Sequence, residues 1–305
     1  GLFSFFDHIK VKTEKNSSKT KINFQTVVTF VTFASLIAMA GPFWIHPVYA
    51  ANANLFVSAE NSLFSNYFAG PQVIEVVVVD SDISSTTVAL AEPEVTVNGK
   101  DLRMVQGVDG NWYGYFADRS MAQAADQTVG LAGYGLDFGT FCSSTSAQNQ
   151  VNPLLSFSDT TGVAIPRVVP SGTNGITPFS GCTNDGSSMI NNVVRQSVAP
   201  TPFQSSPLVN VGQIGIFTSA WPFVQLYDFP QSGNVVIQYN KGGGVQATTL
   251  TFDHIPSGLI TLTLDSQIYS PDADVKVTLN DNQRNIDPTD ADSWTFGTNS
   301  SQVYY

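Results

Sequence analysis

The sequence predicts an all-β chain, and three observations carry that prediction. Alternating apolar stretches bounded by Gly, Pro, Asn, Asp and Ser recur along residues 55–305, the pattern of half-buried strands joined by turns. One such stretch occurs twice. Phe68 to Ser84 reads F-A-G-P-Q-V-I-E-V-V-V-V-D-S-D-I-S, and Tyr269 to Asn285 reads Y-S-P-D-A-D-V-K-V-T-L-N-D-N-Q-R-N, aligned without a gap at an offset of 201 residues. Val275 meets Ile74, Lys276 meets Glu75, Val277 meets Val76, Leu279 meets Val78 and Asp281 meets Asp80. A shared aromatic, turn, alternating strand and terminal aspartate mark the opening of one type of β-domain used twice. The third observation is composition: low charge with abundant Gly, Ser, Thr, Asn, Val and Phe suits secreted β-rich domains better than a helical enzyme.

In chain order, Lys10, Lys12, Lys15, Lys19 and Lys21 precede an apolar run from Val27 to Ile45 that ends in H-P-V-Y-A. With small residues at Val48 and Ala50, residues 1–50 read as a secretory signal with a long basic n-region, cleaved after Ala50. An uncleaved anchor is the alternative, because the run is about long enough to span a bilayer. Residues 51–264 read as the first β-sandwich-like domain. It opens on L-F-V-S-A-E, which matches I-T-L-T-L-D at Ile260 to Asp265 once a four-residue gap is allowed. Three antiparallel strands follow, turning at Asn98-Gly99 and Asp109-Gly110, dipeptides that tolerate positive φ. From about 117 to 207 the pattern loosens into a long insertion, with one or two helical turns near Ala122 to Val129. A structureless loop of that length is rare in a compact domain, so a staple is expected. Alternation returns at Val209 and runs through W-P-F-V-Q-L-Y-D-F to a hairpin turning at Asn240 to Gly244. Residues 265–305 read as the start of a second, incomplete domain, so a piece of a longer protein is expected.

Charge and cysteine usage bound the function. The chain carries −11; the first fifty residues contribute +3, so the remainder carries −14 from eight basic and twenty-two acidic side chains. That balance argues against nucleic acid, whose binding rests on Lys and Arg neutralising phosphates. It fits a surface that attracts cations, or simply a soluble secreted protein. Cys142 and Cys182 are the two cysteines. In an exported chain they read as a disulfide closing the insertion; a metal site is the weaker reading, since structural zinc usually takes four Cys or His ligands.

Several motifs carry no chemistry. Asp137-Phe138-Gly139 lacks every other kinase element, and Gly242-Gly243-Gly244 lacks the lysine and hydroxyl of a phosphate loop, so a hairpin turn explains it. His254 has no nucleophile or acid motif around it, and no enzyme is expected. The aspartates point further. Asp80 and Asp82 close the first copy, while Asp281, Asp287, Asp290 and Asp292 follow the second. Oxygen ligands bunched on turns at a domain seam are what calcium takes, and ordinary Asp turn chemistry is the alternative. Asn299-Ser300-Ser301 is a glycosylation sequon.

Long strings of the chain resemble a known family. V-T-V-N-G-K-D-L-R-M-V-Q-G-V-D-G-N-W-Y-G-Y-F-A-D-R-S-M-A-Q-A-A-D (Val95 to Asp126), G-Y-G-L-D-F-G-T-F-C (Gly133 to Cys142), A-W-P-F-V-Q-L-Y-D-F (Ala220 to Phe229), N-V-V-I-Q-Y-N-K-G-G-G (Asn234 to Gly244) and N-I-D-P-T-D-A-D-S-W-T-F (Asn285 to Phe296) are similar to the N-terminal region of surface-layer (S-layer) proteins of ammonia-oxidising archaea. The resemblance implies immunoglobulin-like β-sandwich domains in a very large secreted protein. It also implies self-assembly into an acidic, porous cell-surface lattice that admits cations such as ammonium and binds divalent metal. Membrane contact is implied only through a C-terminal region outside this chain. No catalytic residue comes with the family. The rival reading is a secreted adhesin or glycan-binding module, with Trp112 or Trp221 lining an exposed groove.

Overall fold

A computed structural model of the chain describes residues 54–127, 136–151, 155–165, 182–183, 192–193, 200–203, 220–241, 244–289, 292, 295–296 and 303–304. The expected signal, residues 1–50, lies outside that set. Seven strands come first: β1 (Leu55–Val57), β2 (Tyr67–Phe68), β3 (Ile74–Val78), β4 (Val95–Val97), β5 (Lys100–Asp101), β6 (Val105–Gln106) and β7 (Trp112–Asp118). Helix α1 (Arg119–Asp126), β8 (Leu136–Asp137), β9 (Thr140–Cys142), helix α2 (Ser144–Val151), β10 (Gly162–Ile165), β11 (Cys182–Thr183) and β12 (Asn192–Val193) follow. Then come β13 (Val224–Tyr227), β14 (Gly233–Lys241), β15 (Gly244–Phe252), β16 (Thr261–Leu264), β17 (Val277–Asn280), β18 (Thr295–Phe296) and β19 (Val303–Tyr304). With only two α-helices among the described residues, the chain is mostly β, as its composition predicts.

Two sheets face each other. The larger runs β1-β3-β7-β13-β10-β9-β11, with β6 also paired to β7; the smaller runs β2-β15-β14-β4-β5. Alternation in the sequence becomes alternation in burial: β3 is buried at Ile74, Val76 and Val78, and β14 at Val235, Ile237 and Tyr239. Leu55, Val57, Val76 and Val78 from the larger sheet share one core with Val95, Val97, Val235, Ile237 and Leu250 from the smaller. Each such side chain contributes about 1.5–3 kcal/mol when fully buried. Asn98 and Gly99 adopt φ of 51° and 75° between β4 and β5, the left-handed pair expected of a two-residue hairpin. Residues 242–243, at the tip of the β14–β15 hairpin, lie outside the described set.

Strand β7 lies inside the large sheet, paired with β3, β13 and β6. Trp112 and Phe116 enter the core between the sheets, while Tyr115 and Ala117 enter a second core on the opposite face. Gly114 lies between Tyr113 and Tyr115, where an added Cβ would come within 2.7 Å of Met104 Sδ and 3.1 Å of the Arg103 carbonyl. The second core accounts for the described parts of the segment from 117 to 207. Helix α1 contributes Ala122, and β9 and β10 contribute Phe141 and Ala164. Helix α2 adds Ala147 and Val151 to a third cluster with Val163 and Phe223. The expected insertion therefore extends the large sheet by β9, β10 and β11 and covers its outer face. Sequence periodicity misses this because these strands are two to four residues long.

The expected disulfide is present. Cys142 and Cys182 are directly opposed partners in the β9–β11 pair, with Cα atoms 4.2 Å apart.

Candidate functional site

The two copies of the repeated stretch build the same local structure. Strand β3 runs into a 3-10 turn at Ser81–Ile83, and β17 into one at Asn282–Arg284. At each junction stands the aligned aspartate. Asp80 Oδ1 accepts from the Asp82 N–H at 3.0 Å, and Asp281 Oδ1 accepts from the Gln283 N–H at 3.0 Å. A short carboxylate satisfying an otherwise orphaned turn N–H is why Asp recurs here. The preceding strand also recurs, with β1 antiparallel to β3 and β16 antiparallel to β17. Leu55 faces Val78 and Leu262 faces Leu279; Val57 faces Val76 and Leu264 faces Val277. Leu55 thus corresponds to Leu262, a gap of six residues between the copies rather than the four that the L-F-V-S-A-E match suggests. A slip of two keeps every side chain on its own face, so the apolar pattern cannot distinguish the alignments.

The carboxylates differ in what they hold. Asp80 is buried, and its Oδ2 accepts from Tyr239 Oη at 2.8 Å. Lys241 Nζ lies 2.8 Å from Asp80 Oδ2 and 3.3 Å from Asp82 Oδ2. Tyr239 and Lys241 belong to β14, so this cluster ties the end of β3 to the opposite sheet. Burial alone would raise the Asp80 pKa; the hydrogen bonds from Lys241, the Asp82 N–H and Tyr239 outweigh it and hold the carboxyl below its usual range. The hydrogen bonds to Asp80 and Asp82 raise the Lys241 pKa. In the second copy the cation is local: Arg284 Nε lies 3.4 Å from Asp281 Oδ2.

Asp287 and Asp292 organise the loop that follows. Asp287 Oδ1 accepts from Thr289 N–H and Oγ1 at 2.8 and 2.7 Å, and Asp292 Oδ2 accepts from the N–H groups of Ile286 and Asp287. Asp290 and Asn299 lie outside the described residues. Calcium takes six to eight oxygens. Among the described residues no group of three or more His, Cys, Asp or Glu is disposed to hold a metal ion, and the cation between Asp80 and Asp82 is an ammonium. The contacts of the described carboxylates are turn caps and ion pairs.

The turn of the second copy packs beside the first copy, near Leu63 and Val73. Val73 N–H donates to the Ile286 carbonyl at 2.9 Å, Asn282 Nδ2 donates to the Leu63 carbonyl at 2.6 Å, and Ile286 is buried in the second core. A half-open cleft of about 370 Å³ runs beside this contact, lined by Pro71, Met121, Ala124, His254 and Arg284 among others. Its walls are mainly apolar, and His254 has no nucleophile aligned with it in the described contacts.

Two features were not visible in the sequence. Lys241, the partner of Asp80 and Asp82, reads as part of a K-G-G-G turn, and only the β14 pairing brings it to residues about 160 positions earlier. Arg103 bridges Glu92 at 3.0 Å and Asp101 at 2.9 Å; Tyr227 Oη donates to the Asp101 carbonyl, and Gln225 bonds both backbone groups of Arg103. Burial pushes the Glu92 carboxyl up, against the opposing charge of Arg103. No spacing motif announces either cluster.

The tryptophans named for a glycan groove are packing residues. Trp112 is fully buried with Nε1 donating to the Ile83 carbonyl, and Trp221 is half-buried, its Nε1 donating to the Pro200 carbonyl and its ring packed on Tyr115 and Phe223. Phe138 of the D-F-G string is a core residue. No family model matches the chain, and no curated protein matches it.

Proposed function

We propose that this chain is a structural component of a secreted, self-assembling surface layer: an acidic, porous cell-surface lattice of immunoglobulin-like domains that admits cations, ammonium among them. The observation that carries the reading is the repeated β-module: the strand pair and capping aspartate of β1 and β3 recur in β16 and β17, as in a modular protein built from copies of one unit. The resemblance of Val95 to Asp126 and the other strings to archaeal S-layer proteins supports the same reading.

The acidic balance supplies the cation-passing part. A surface with a large excess of carboxylates raises the local concentration of small cations and repels anions. Asp82, on the rim of the Lys241 cluster, is exposed and contributes to that field, while Asp80 is committed to the fold. Calcium bridging stays a separate proposal for the loop holding Asp287, Asp290 and Asp292. The adhesin reading asks for exposed aromatics that Trp112 and Trp221 do not supply.

Electron microscopy of cell envelopes with antibody raised against this chain tests the reading. Ordered two-dimensional sheets labelled by the antibody are expected. A freely diffusing secreted protein, or label confined to the cell interior, overturns it.

A further inference from the structure

The β16–β17 hairpin is held at both of its ends. The chain enters it through Ile255, buried in the core between the two sheets, and through Leu259, half-buried against the same cluster. It leaves through the turn after β17. There Asn282 Nδ2 donates to the Leu63 carbonyl at 2.6 Å, Gln283 Nε2 to the Ile255 carbonyl at 3.4 Å, and Val73 N–H to the Ile286 carbonyl at 2.9 Å. The Ile286 side chain is buried in the second core, of which Val73 is also a member. Between these anchors every residue from Thr261 to Asn280 except Tyr269 is exposed. The ends of the hairpin, not its length, therefore decide where it sits.

In the first copy the matching turn makes no such exit contact. Continued one residue past the aligned stretch, the offset of 201 places Asn282, Gln283 and Ile286 on Ser81, Asp82 and Ser85. Ser81 and Asp82 are exposed, and the Ser85 carbonyl accepts from Gln106 Nε2 at 2.8 Å. The matching Ile286 carbonyl reaches Val73, outside the hairpin altogether. The residue types follow this difference. Isoleucine gains by leaving water where serine does not, and the carboxamides of Asn282 and Gln283 supply donors that an aspartate lacks.

We infer that residues 282–287 are a strap that locks the hairpin onto the sandwich in one orientation. Closed, the strap fixes the angle between the two; open, it leaves the hairpin on residues 255–260 alone. That entry segment can pivot, since Ser257 and Gly258 are exposed and an added Cβ at Gly258 would meet nothing within 4 Å. Ile286 and the three hydrogen bonds leave together, so the strap opens as one local unit. Units joined by an exposed linker move relative to each other by default. The strap removes that freedom at this joint. Its contacts lie within one chain, so it does not rest on the lattice reading.

Amide exchange resolved at single residues tests this, because the closed strap covers the Val73 N–H. In the parent that amide should exchange at least about a hundredfold more slowly than an unprotected one. Ile286→Ala should speed it at least about thirtyfold and Asn282→Ala about two- to tenfold, while the amides of Val76 to Val78 in β3 stay within about threefold of the parent. Thr278→Ala, in the hairpin but outside the strap, should leave Val73 within about twofold. Double electron–electron resonance between nitroxides on Lys100→Cys and Thr263→Cys reads the angle itself, the native cysteines being joined in the disulfide. One narrow distance is expected in the parent and a broad distribution in Ile286→Ala. An unprotected Val73 amide, a broad distance in the parent, or no acceleration in either strap variant overturns the strap. So does equal acceleration at Val73 and across β3, which would make Ile286 a support of the whole fold. If Ile286→Ala does not fold, Asn282→Ala decides: selective acceleration at Val73 sustains the strap, and its absence overturns it.

Discussion

The two hairpins of the repeated module are made by nearly the same pattern and end in opposite environments. β1 and β3 sit inside a sandwich, while β16 and β17 are exposed at every position. The aligned aromatic shows how the sequence is adapted to the difference. Phe68 is fully buried, with its ring against Phe116, Phe229 and Phe252. Tyr269, its counterpart, is half-buried, donates from Oη to Asp265 Oδ1 at 2.6 Å and accepts from the Ser266 N–H. One hydroxyl turns a core anchor into a local brace. The strand-to-turn aspartate survives in both copies because its work, capping a turn N–H, is local; the apolar face depends on what lies across from it.

The largest expected effect comes from charging the buried member of an aligned pair. Val76→Asp places an unpaired carboxylate in the core and should unfold the first domain, a loss of at least 4 kcal/mol by chemical denaturation. Val277→Asp, at the aligned position, should change stability by less than about 0.5 kcal/mol. Next is the disulfide: replacing Cys142 and Cys182 with Ser should cost about 3–4 kcal/mol, seen as a lower denaturation midpoint, because the bridge closes a separation of 40 residues.

The aspartate pair separates the copies more finely. Asp80→Ala loses a buried, ion-paired cap and should cost about 2 kcal/mol; Asp281→Ala loses a cap beside a half-exposed arginine and should cost about 1 kcal/mol. The pH dependence follows from the lowered Asp80 pKa. A carboxylate whose folded pKa lies below its unfolded value of about 3.9 contributes its full stability above that value and loses it as pH falls through the folded pKa. Lys241, shifted up, contributes fully below its unfolded pKa of about 10.4 and loses that contribution as pH rises through the folded one. Glu75 and Glu92, raised chiefly by burial, act oppositely: acidification toward the unfolded value of about 4.3 relieves their desolvation. Stability should therefore hold or rise slightly down to about pH 4 and fall below it, and Asp80→Asn should flatten that last fall.

The smallest expected effect is that of a chelator. With Lys241 serving as the cation between Asp80 and Asp82, EDTA should leave that cluster's contribution to stability unchanged, whereas a lower melting temperature in EDTA would support calcium at the loop of Asp287, Asp290 and Asp292.

How much of this was legible in the sequence follows from range. The all-β class, the repeat, the Asn98-Gly99 turn and the cysteine pair rest on local patterns, and each has its counterpart in the structure. The role of the described part of 117–207 was not legible, because strands as short as Thr140–Cys142 leave no periodicity and their pairing is long-range: β9 pairs β10, and β10 pairs the distant β13. The aspartates were recognisable as a group, yet their partners were not. Asp80 meets a lysine from the opposite sheet and Asp281 an arginine three residues on, and only the fold separates those two outcomes.

Amide hydrogen exchange measured side by side on Ile74–Val78 and Val277–Asn280 tests the central claim most directly. In dilute chain the β3 amides should be protected at least about a thousandfold more than those of β17. Equal protection of the two strands in dilute chain would contradict the account.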